Sequence, residues 1–285
     1  LRDNEIKSKI IRQKPYRRWL EENRIELRGL FQPTRTLPTS DPDRLLERLR
    51  AFGYTREEIR MILAPMARDG QEPVGSMGAD TPVAVLSDRP ELLFHYFKQL
   101  FAQVTNPPID PLREGLVMSL MSFTGKQRNL LDETPLHCRQ LKLPHPILAP
   151  QDMERLRMVN RADFKVATLD ILFPADASAP GQALEKALQN LLDQAEQAIR
   201  DGASLLILSD RRMSAQQAPI PSLLAVAAVH HGLLERRLRH EAGLVIESGE
   251  PREVMHFCLL CGYGANAIHP YLAFESLAKL QADGD

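Results

Sequence analysis

The feature that most constrains this sequence is a regular alternation of strand-like and helix-like segments in its C-terminal half. From residue 161 onward, short apolar runs typical of buried strands alternate with longer segments whose apolar residues recur at helical spacing. The predicted strands are 165–172, 204–208, 243–246 and 265–268, and the predicted helices between them are 184–201, 221–238 and 254–261. This alternation predicts a parallel sheet with right-handed crossovers or part of a barrel. A complete barrel is not expected, because it would need eight such units.

The N-terminal part has a different character and predicts helices joined by a linker. Residues 1–27 are charged, and residues 30–41 are rich in Pro, Thr and Ser, as in an extended connection. Asp41-Pro42 predicts a helix at 43–52, and the capping box formed by Thr55 and Glu58 predicts a second helix at 56–67.

The middle of the chain is less regular. A glycine-rich loop at 69–80 leads into a predicted strand at 82–86 and a predicted amphipathic helix at 91–103. Residues 104–111 are too rich in proline for regular structure, and a further helix is predicted at 112–120.

These patterns together predict a two-part organisation. We expect a helical and linker region at 1–68 and an α/β domain at 69–285. The expected fold class is α/β, with a parallel sheet flanked by helices in partial-barrel-like βα units and an N-terminal helical extension.

The bulk composition excludes several classes of function. The 285 residues are 44% hydrophobic and 26% charged, with a net charge of −1, so no electrostatic argument favours nucleic acid or an anionic membrane. No apolar run approaches the roughly 20 residues of a spanning helix. Three cysteines form no disulfide framework, which fits a reducing cytosol, so we expect a cytoplasmic protein. The chain begins with Leu1 and ends on a short polar run, and we expect it to be a piece of a longer protein.

Two loops lie where α/β proteins commonly bind ligands. Asp210 and Arg211 follow one predicted parallel strand, and Glu247 ends the next, so both groups are expected at the carboxyl edge of the sheet. A helix start after Glu247 would favour an anion, although Glu250 in the first turn would satisfy those backbone donors itself.

Three further motifs favour structural roles. Cys258 and Cys261 have the spacing of a zinc or redox pair, but they lie at a helix C-terminus without a second cysteine pair, so buried apolar thiols are expected. His230 and His231 are adjacent and point about 100° apart on a helix, which disfavours a shared ion. The loop at 75–78 lacks the lysine of a phosphate-binding loop and the spacing of a dinucleotide loop. The sequence assembles no nucleophile, base and oxyanion donors together.

Six long strings of this sequence are specific enough to indicate a family. They are WLEENRI (19–25), EPVGSMGADTPVAVLS (72–87), FKQLFAQVTNPPIDPLRE (97–114), LILSDR (206–211), APIPSLL (218–224) and LVIESGEPREVMHFCLLCGYGANAIHPY (244–271). These strings occur in order over nearly the whole chain, and together they resemble the large chain of glutamate synthase. The piece is similar to the central domain of that family, which lies between a glutamine amidotransferase domain and an FMN-binding synthase barrel.

The resemblance implies a division of labour in the parent enzyme. An N-terminal cysteine there hydrolyses glutamine, and the ammonia passes through an internal tunnel to the synthase domain. It adds to 2-oxoglutarate, and FMN reduces the iminoglutarate to glutamate, while an iron–sulfur cluster takes part in electron delivery. A reductase subunit or ferredoxin would supply the electrons. The central domain would connect the two active domains and help to wall the tunnel.

This chain lacks the residues that would carry the parent enzyme's chemistry. Leu1 is not the catalytic cysteine, and neither cluster cysteines nor FMN-barrel motifs are present. We therefore assign no catalytic residue and no FMN or cluster ligand here. We expect a non-catalytic connecting domain whose partners are the amidotransferase and synthase domains of the same polypeptide.

The expected interdomain or tunnel-facing residues fall in three groups. They are Gly75, Ser76, Met77, Gly78 and Asp80 in the glycine-rich loop, Thr105, Asn106 and Arg113 in and after the proline-rich segment, and Asp210, Arg211 and Glu247 at the sheet edge. Two alternatives remain open. One is a self-contained phosphate- or flavin-binding α/β enzyme that uses the loops at Asp210 and Glu247, and the other is a bare interaction module.

Overall fold

The computed structural model describes residues 2–27, 42–73, 83–97, 108–161, 164–176 and 178–284. Most of the glycine-rich loop and the segment 98–107 lie outside the described residues, as does the proline-rich linker at 30–41. The predictions that fall there are therefore not tested by the fold.

The helices follow the predicted pattern closely in the second half of the chain. They are α1 (Asp3–Ile11), α2 (Tyr16–Asn23), α3 (Pro42–Ala51), α4 (Arg56–Glu58), α5 (Ala64–Asp69), α6 (Pro111–Val117), α7 (Pro150–Arg157), α8 (Pro180–Arg200), α9 (Ser222–Glu235), α10 (Val254–Gly262) and α11 (Tyr271–Asp283). A π-helical turn at Ile59–Leu63 joins α4 to α5, so α3 to α5 form a helical hairpin at 42–69. The predicted capping box is confirmed, since the Thr55 hydroxyl accepts from the N–H of Glu58 at 3.1 Å and the Glu58 carboxylate accepts from the N–H of Thr55 at 2.8 Å.

The strands form one main sheet and two small ones. They are β1 (Ile25–Glu26), β2 (Ser122–Thr124), β3 (Leu141–Leu143), β4 (Asn160–Arg161), β5 (Phe164–Asp170), β6 (Leu172–Pro174), β7 (Ala203–Ser209), β8 (Gln217–Pro219), β9 (Gly243–Glu247) and β10 (Ala267–His269). The main sheet has the order β10-β9-β7-β5-β4, in which β10, β9, β7 and β5 are parallel and β4 is antiparallel to β5. The predicted α/β class with a parallel sheet flanked by helices is therefore confirmed.

The two faces of the sheet are buried against different layers. Successive side chains of β7 alternate, so that Leu206 and Leu208 join one apolar core while Leu205 and Ile207 join the other. The first core contains residues of α8, α9 and α10, and the second contains residues of β3 and α7. Burial on both faces explains why β7 reads as a continuous apolar run rather than an alternating one.

The β10 edge of the sheet is covered by the chain that enters α7. Ile147 forms a parallel bridge with Ile268, whose N–H donates to the carbonyl oxygen of Pro146 at 2.7 Å. The N–H of Leu148 in turn donates to the carbonyl oxygen of Ile268 at 2.8 Å. The backbone groups of this edge strand are thus satisfied within the chain.

The structure corrects the predictions for the irregular middle of the chain. Where a strand was predicted at 82–86, Ala84–Leu86 is a 3₁₀ turn, and of the helix predicted at 91–103 the described part is a 3₁₀ turn at Leu93–Tyr96. Pro90 separates two short stretches there, and the fully buried ring of Phe94 anchors the second one, so tertiary burial decides the conformation. The helix predicted at 112–120 ends at Val117, and α11 was not predicted.

Candidate functional site

The carboxyl edge of the parallel strands carries a row of buried polar side chains. β7 ends at Ser209 and continues into Asp210, β9 ends at Glu247 and continues into Ser248, and β10 ends at His269. Each of these side chains is at most 3% exposed. This edge is where open α/β sheets bind ligands, so the partners of these groups decide what the edge can do.

The carboxylate of Glu247 is engaged by three side chains. The Ser209 hydroxyl donates to it at 2.5 Å, the Arg157 guanidinium at the end of α7 donates to it as well, and Arg211 lies 3.9 Å away. Two cations from separate elements therefore balance one buried anion. The sequence prediction that Arg211 and Glu247 meet at one edge agrees with this arrangement.

Asp210 is buried beside the next loop of the same edge. It accepts a hydrogen bond from the Ser248 hydroxyl at 2.5 Å and another from the N–H of Gly249 at 3.2 Å. Burial raises the pKa of Asp210 to about 7, against the opposing effect of these hydrogen bonds. Burial and the charge of Asp210 also raise the pKa of Tyr271, whose phenol therefore stays protonated.

Glu250 has a partner that the sequence did not suggest. Its carboxylate accepts from the backbone N–H of Ser222 at 2.7 Å and from the Ser222 hydroxyl at 2.5 Å. Ser222 is the first residue of α9, so Glu250 caps that helix. The expectation that Glu250 lies in the first turn of the next helix was wrong, because α10 begins only at Val254. Burial raises the pKa of Glu250. An anion at this helix start would have to displace a carboxylate that the chain already supplies.

Arg252 ties the helical hairpin to the sheet edge. Its guanidinium donates to the Glu58 carboxylate at 2.9 Å and 3.0 Å, and to the carbonyl oxygens of Phe52 and Gly53 at 3.0 Å and 3.2 Å. It also lies 4.2 Å from the ring centroid of Tyr54. The side chain is 2% exposed, so these contacts replace water almost completely.

A second set of contacts closes the edge from α3 and α11. Arg48 of α3 and Arg211 both pair with Glu275 of α11, at 3.3 Å and 3.0 Å. Both guanidinium groups lie over the ring of Tyr271, at 5.5 Å and 4.8 Å from its centroid. The Tyr54 hydroxyl donates to the carbonyl oxygen of Gly249 at 2.9 Å. The hairpin 42–69 therefore covers the loops where an α/β enzyme would hold its substrate.

The predicted interdomain residues divide into three outcomes. Asp210, Arg211 and Glu247 are brought together at the sheet edge. Arg113 lies on α6, where it pairs with Asp110 at 2.6 Å. Gly75, Ser76, Met77, Gly78, Asp80, Thr105 and Asn106 lie outside the described residues.

The cysteine and histidine motifs can now be placed. Cys258 and Cys261 lie on the exposed side of α10, so the expectation that both thiols are buried was wrong. The buried side chains of α10 are those of His256 and Leu260, and neither cysteine shares their positions on the helix. His230 accepts from the Arg239 guanidinium at 2.9 Å and packs edge-on to His231.

One constellation was missed by the sequence analysis. His95, Glu253 and His256 each offer one ligand atom such that the three atoms lie within 4.8 Å of one another. The only local signal was the Glu-x-x-His spacing of 253 and 256, because His95 is distant in sequence.

None of the helices that the structure describes has both the length and the apolar character that a membrane-spanning segment needs.

Sequence comparisons with known proteins indicate one family. The family described as "Glutamate synthase central domain" matches residues 47–285. The NADPH-type glutamate synthase large chain of Bacillus subtilis is 46% identical over 96% of this chain and 17% of its own length. The NADH-type glutamate synthase of Schizosaccharomyces pombe is 43% identical over 98% of this chain and 14% of its own length.

A ferredoxin-type relative matches equally well. Ferredoxin-dependent glutamate synthase 2 of a Synechocystis strain is 42% identical over 99% of this chain and 18% of its own length. The chain thus spans less than a fifth of each of these relatives, and its likeness extends to all three named electron-donor types. With a family match over most of its length and these identities, the chain belongs to the glutamate synthase central domain family.

Proposed function

We propose that this chain is the non-catalytic connecting domain of a glutamate synthase. In that role it would link the glutaminase and FMN-binding synthase domains of the same polypeptide and help to wall the ammonia tunnel. The longer length of the relatives supports the proposal, because a chain that spans 17% of the B. subtilis large chain leaves ample polypeptide for both flanking domains.

The closed sheet edge supports a role without catalysis. Glu247, Asp210 and Glu250 each accept hydrogen bonds from groups of the same chain, and the hairpin 42–69 lies over the loops that carry them. Among the described residues of this edge, every buried carboxylate is therefore already engaged. These hydrogen bonds fix the loops and helices in place, and they leave none of the three carboxylates open to a substrate.

The observation that carries the proposal is an exposed apolar segment at residues 112–131. Leu112 on α6 is 97% exposed, and Leu130 and Leu131 are both 93% exposed. Leu116 and Leu120 are also exposed. Five exposed leucines within twenty residues are unusual on a surface that contacts only water, and they are typical of a surface that another domain covers.

We propose that the flanking domains of the same polypeptide cover this segment. Arg113 lies within it, and the loop residues Gly75, Ser76, Met77, Gly78 and Asp80 with Thr105 and Asn106 are proposed to belong to the same interdomain surface. An apolar, water-poor junction suits the passage of neutral ammonia, because water would protonate it and let it diffuse away.

The remaining parts of the parent's chemistry would lie outside this chain. We propose that FMN and the iron–sulfur cluster are held by the synthase domain, and that a reductase subunit or ferredoxin delivers the electrons. We further propose a cytoplasmic location for the parent.

The test uses the complete glutamate synthase that carries this sequence. Leu112→Asp with Leu116→Asp would place charges on α6 at the proposed junction. We expect glutamine hydrolysis to continue while the glutamate formed per glutamine consumed falls and free ammonia appears. Met61→Asp, at a residue of the hairpin that is 68% exposed, is the matched control and should leave the two activities coupled.

The glycine-rich loop offers a second set of variants. Bulky replacements at Gly75 or Gly78 should uncouple the two activities in the same way. If hydrolysis and glutamate formation keep equal stoichiometry in both sets of variants, with the far-ultraviolet circular dichroism unchanged, the connecting role is refuted.

A further inference from the structure

The imidazole of His256 is an unusual buried group because one of its nitrogens has no partner. The side chain is fully buried at the start of α10 and stacks on Phe94, with ring centroids 4.3 Å apart. Its Nδ1 accepts a long hydrogen bond from the N–H of Arg252 at 3.3 Å, and its Nε2 has no partner among the described residues. Leaving a buried polar atom unpaired costs about 1–3 kcal/mol, so such an atom calls for an explanation.

Two further ligand-type side chains lie close to the His256 ring. His95 belongs to the 3₁₀ turn at Leu93–Tyr96, and Glu253 is the N-cap residue of α10. One ligand atom from each lies within 4.8 Å of one of His256. His95 and Glu253 are only half-buried, so they leave a path for a solute to enter.

His95 is held in the orientation that metal-binding histidines adopt. Its Nδ1 lies 2.9 Å from the Glu91 carboxylate, so Nδ1 donates to Glu91 and Nε2 would be the ring nitrogen that binds an ion. A carboxylate behind a histidine fixes the ring and raises its basicity as a ligand. Glu91 would thus be a positioning residue for His95, and it lies outside the three-residue cluster.

We propose that His95, Glu253 and His256 form a three-ligand site for a divalent transition metal ion, of which Zn²⁺ fits best. Two imidazoles and one carboxylate are the ligands that Zn²⁺ accepts, and a water molecule would complete four-coordination. Zn²⁺ bonds of about 2.0–2.1 Å place ligand atoms about 3.4 Å apart, so a separation at the 4.8 Å limit must close by about 1.4 Å. Rotation of the half-buried His95 and Glu253 side chains supplies this movement.

Metal binding requires one change at His256. With Nε2 on the ion, the ring proton moves to Nδ1, and the 3.3 Å hydrogen bond from Arg252 is lost. That bond is long and weak, whereas the ion would satisfy a buried nitrogen that has no other partner in the part of the chain that the structure describes. The ion would thereby fasten the segment 83–97 to α10, which are joined now by the Phe94–His256 stack.

The test measures zinc binding to the full 285-residue chain. The exposed Cys258 and Cys261 would take zinc on their own, so every protein carries Cys258→Ser and Cys261→Ser. Dialysis against ZnCl₂ with a competing chelator, followed by elemental analysis, should find about one zinc per chain. CoCl₂ should give the visible absorption bands of a four-coordinate nitrogen and oxygen site.

Three variants and one control locate the site. His95→Ala and Glu253→Gln should abolish the cobalt bands and weaken zinc binding by more than about 100-fold, and Glu91→Gln should weaken it by about 10-fold or more. His240→Ala removes an exposed histidine elsewhere and should change nothing.

Two results would overturn the proposal. One is that the chain carrying Cys258→Ser and Cys261→Ser retains no zinc. The other is that His95→Ala and Glu253→Gln bind zinc as tightly as the unsubstituted site does, with the same cobalt spectrum.

Discussion

Replacement of Arg252 by alanine tests whether the helical hairpin is fixed to the sheet by a buried cation. The side chain is 2% exposed and makes two hydrogen bonds to Glu58 and two to backbone carbonyl oxygens. Its removal takes the donor from Oε1 of Glu58 and from two carbonyl groups of the hairpin, while Oε2 of Glu58 keeps its hydrogen bond from Thr55. Breaking a buried ion pair from one side costs about 3–5 kcal/mol, a large part of the stability of a typical domain.

The assay is urea unfolding followed by far-ultraviolet circular dichroism, with hydrogen exchange to locate the effect. We expect Arg252→Ala to lower the free energy of unfolding by about 3–5 kcal/mol and to speed amide exchange in α3 and α4 before β7 and β9. Arg252→Lys should recover less than half, because an ammonium group cannot reproduce the planar fork that meets Glu58 and two carbonyl groups at once. Arg17→Ala, which breaks a solvent-exposed pair on α2, is the control and should leave stability unchanged.

A double-mutant cycle separates the ion pair from the helix cap. Glu58→Ala removes both the partner of Arg252 and the capping box with Thr55, so its single cost mixes two effects. The coupling between Arg252→Ala and Glu58→Ala isolates the pair. A loss below about 1 kcal/mol in Arg252→Ala, or a coupling near zero, would refute the reasoning.

Two further predictions concern the same edge. Because burial raises the pKa of Asp210 to about 7, above the roughly 3.9 of an unfolded aspartate, the folded chain binds an extra proton between about pH 4 and 7. The contribution of this residue to the free energy of unfolding therefore falls as the pH rises, by up to about 1.4 kcal/mol per pH unit. Asp210→Asn should flatten this pH dependence, measured by urea unfolding at a series of pH values. An unchanged pH dependence would contradict the raised pKa of Asp210. A methyl group at Gly249 would lie 2.4 Å from the Phe52 ring, so Gly249→Ala should cost about 1–3 kcal/mol of unfolding free energy, whereas Gly115→Ala, in open space on α6, should raise it slightly. Equal effects of the two glycine variants in thermal melts would show that the hairpin is not packed on this loop.

The sequence predicted the sheet well because its signals are local. The apolar runs at β7 and β9 and the 3.6-residue periodicity of α8 are each set within a few residues, and the capping box at Thr55 needs only a spacing of three. These elements were found within a few residues of their observed bounds.

The partners of the edge residues could not be predicted in the same way. Arg252 and Glu58 are separated by 194 positions in sequence, and no local pattern distinguishes this pair from two solvated charges. The same holds for Glu250, which caps a helix that starts 28 residues earlier, and for His95 beside His256. The 3₁₀ turn at 93–96 was missed because the burial of the Phe94 ring outweighs the local preference. The turn at 84–86 was taken for a strand because its residues are apolar, yet Val85 and Leu86 are exposed.

The covered edge of β10 has a consequence for how this domain can meet its neighbours. An open edge strand invites another chain to extend the sheet through backbone hydrogen bonds. Here Pro146, Ile147 and Leu148 already occupy that position against Ile268. Recognition along this border must therefore depend on the shape and chemistry of side chains, so substitutions on the surface can change which neighbour fits without disturbing the sheet beneath.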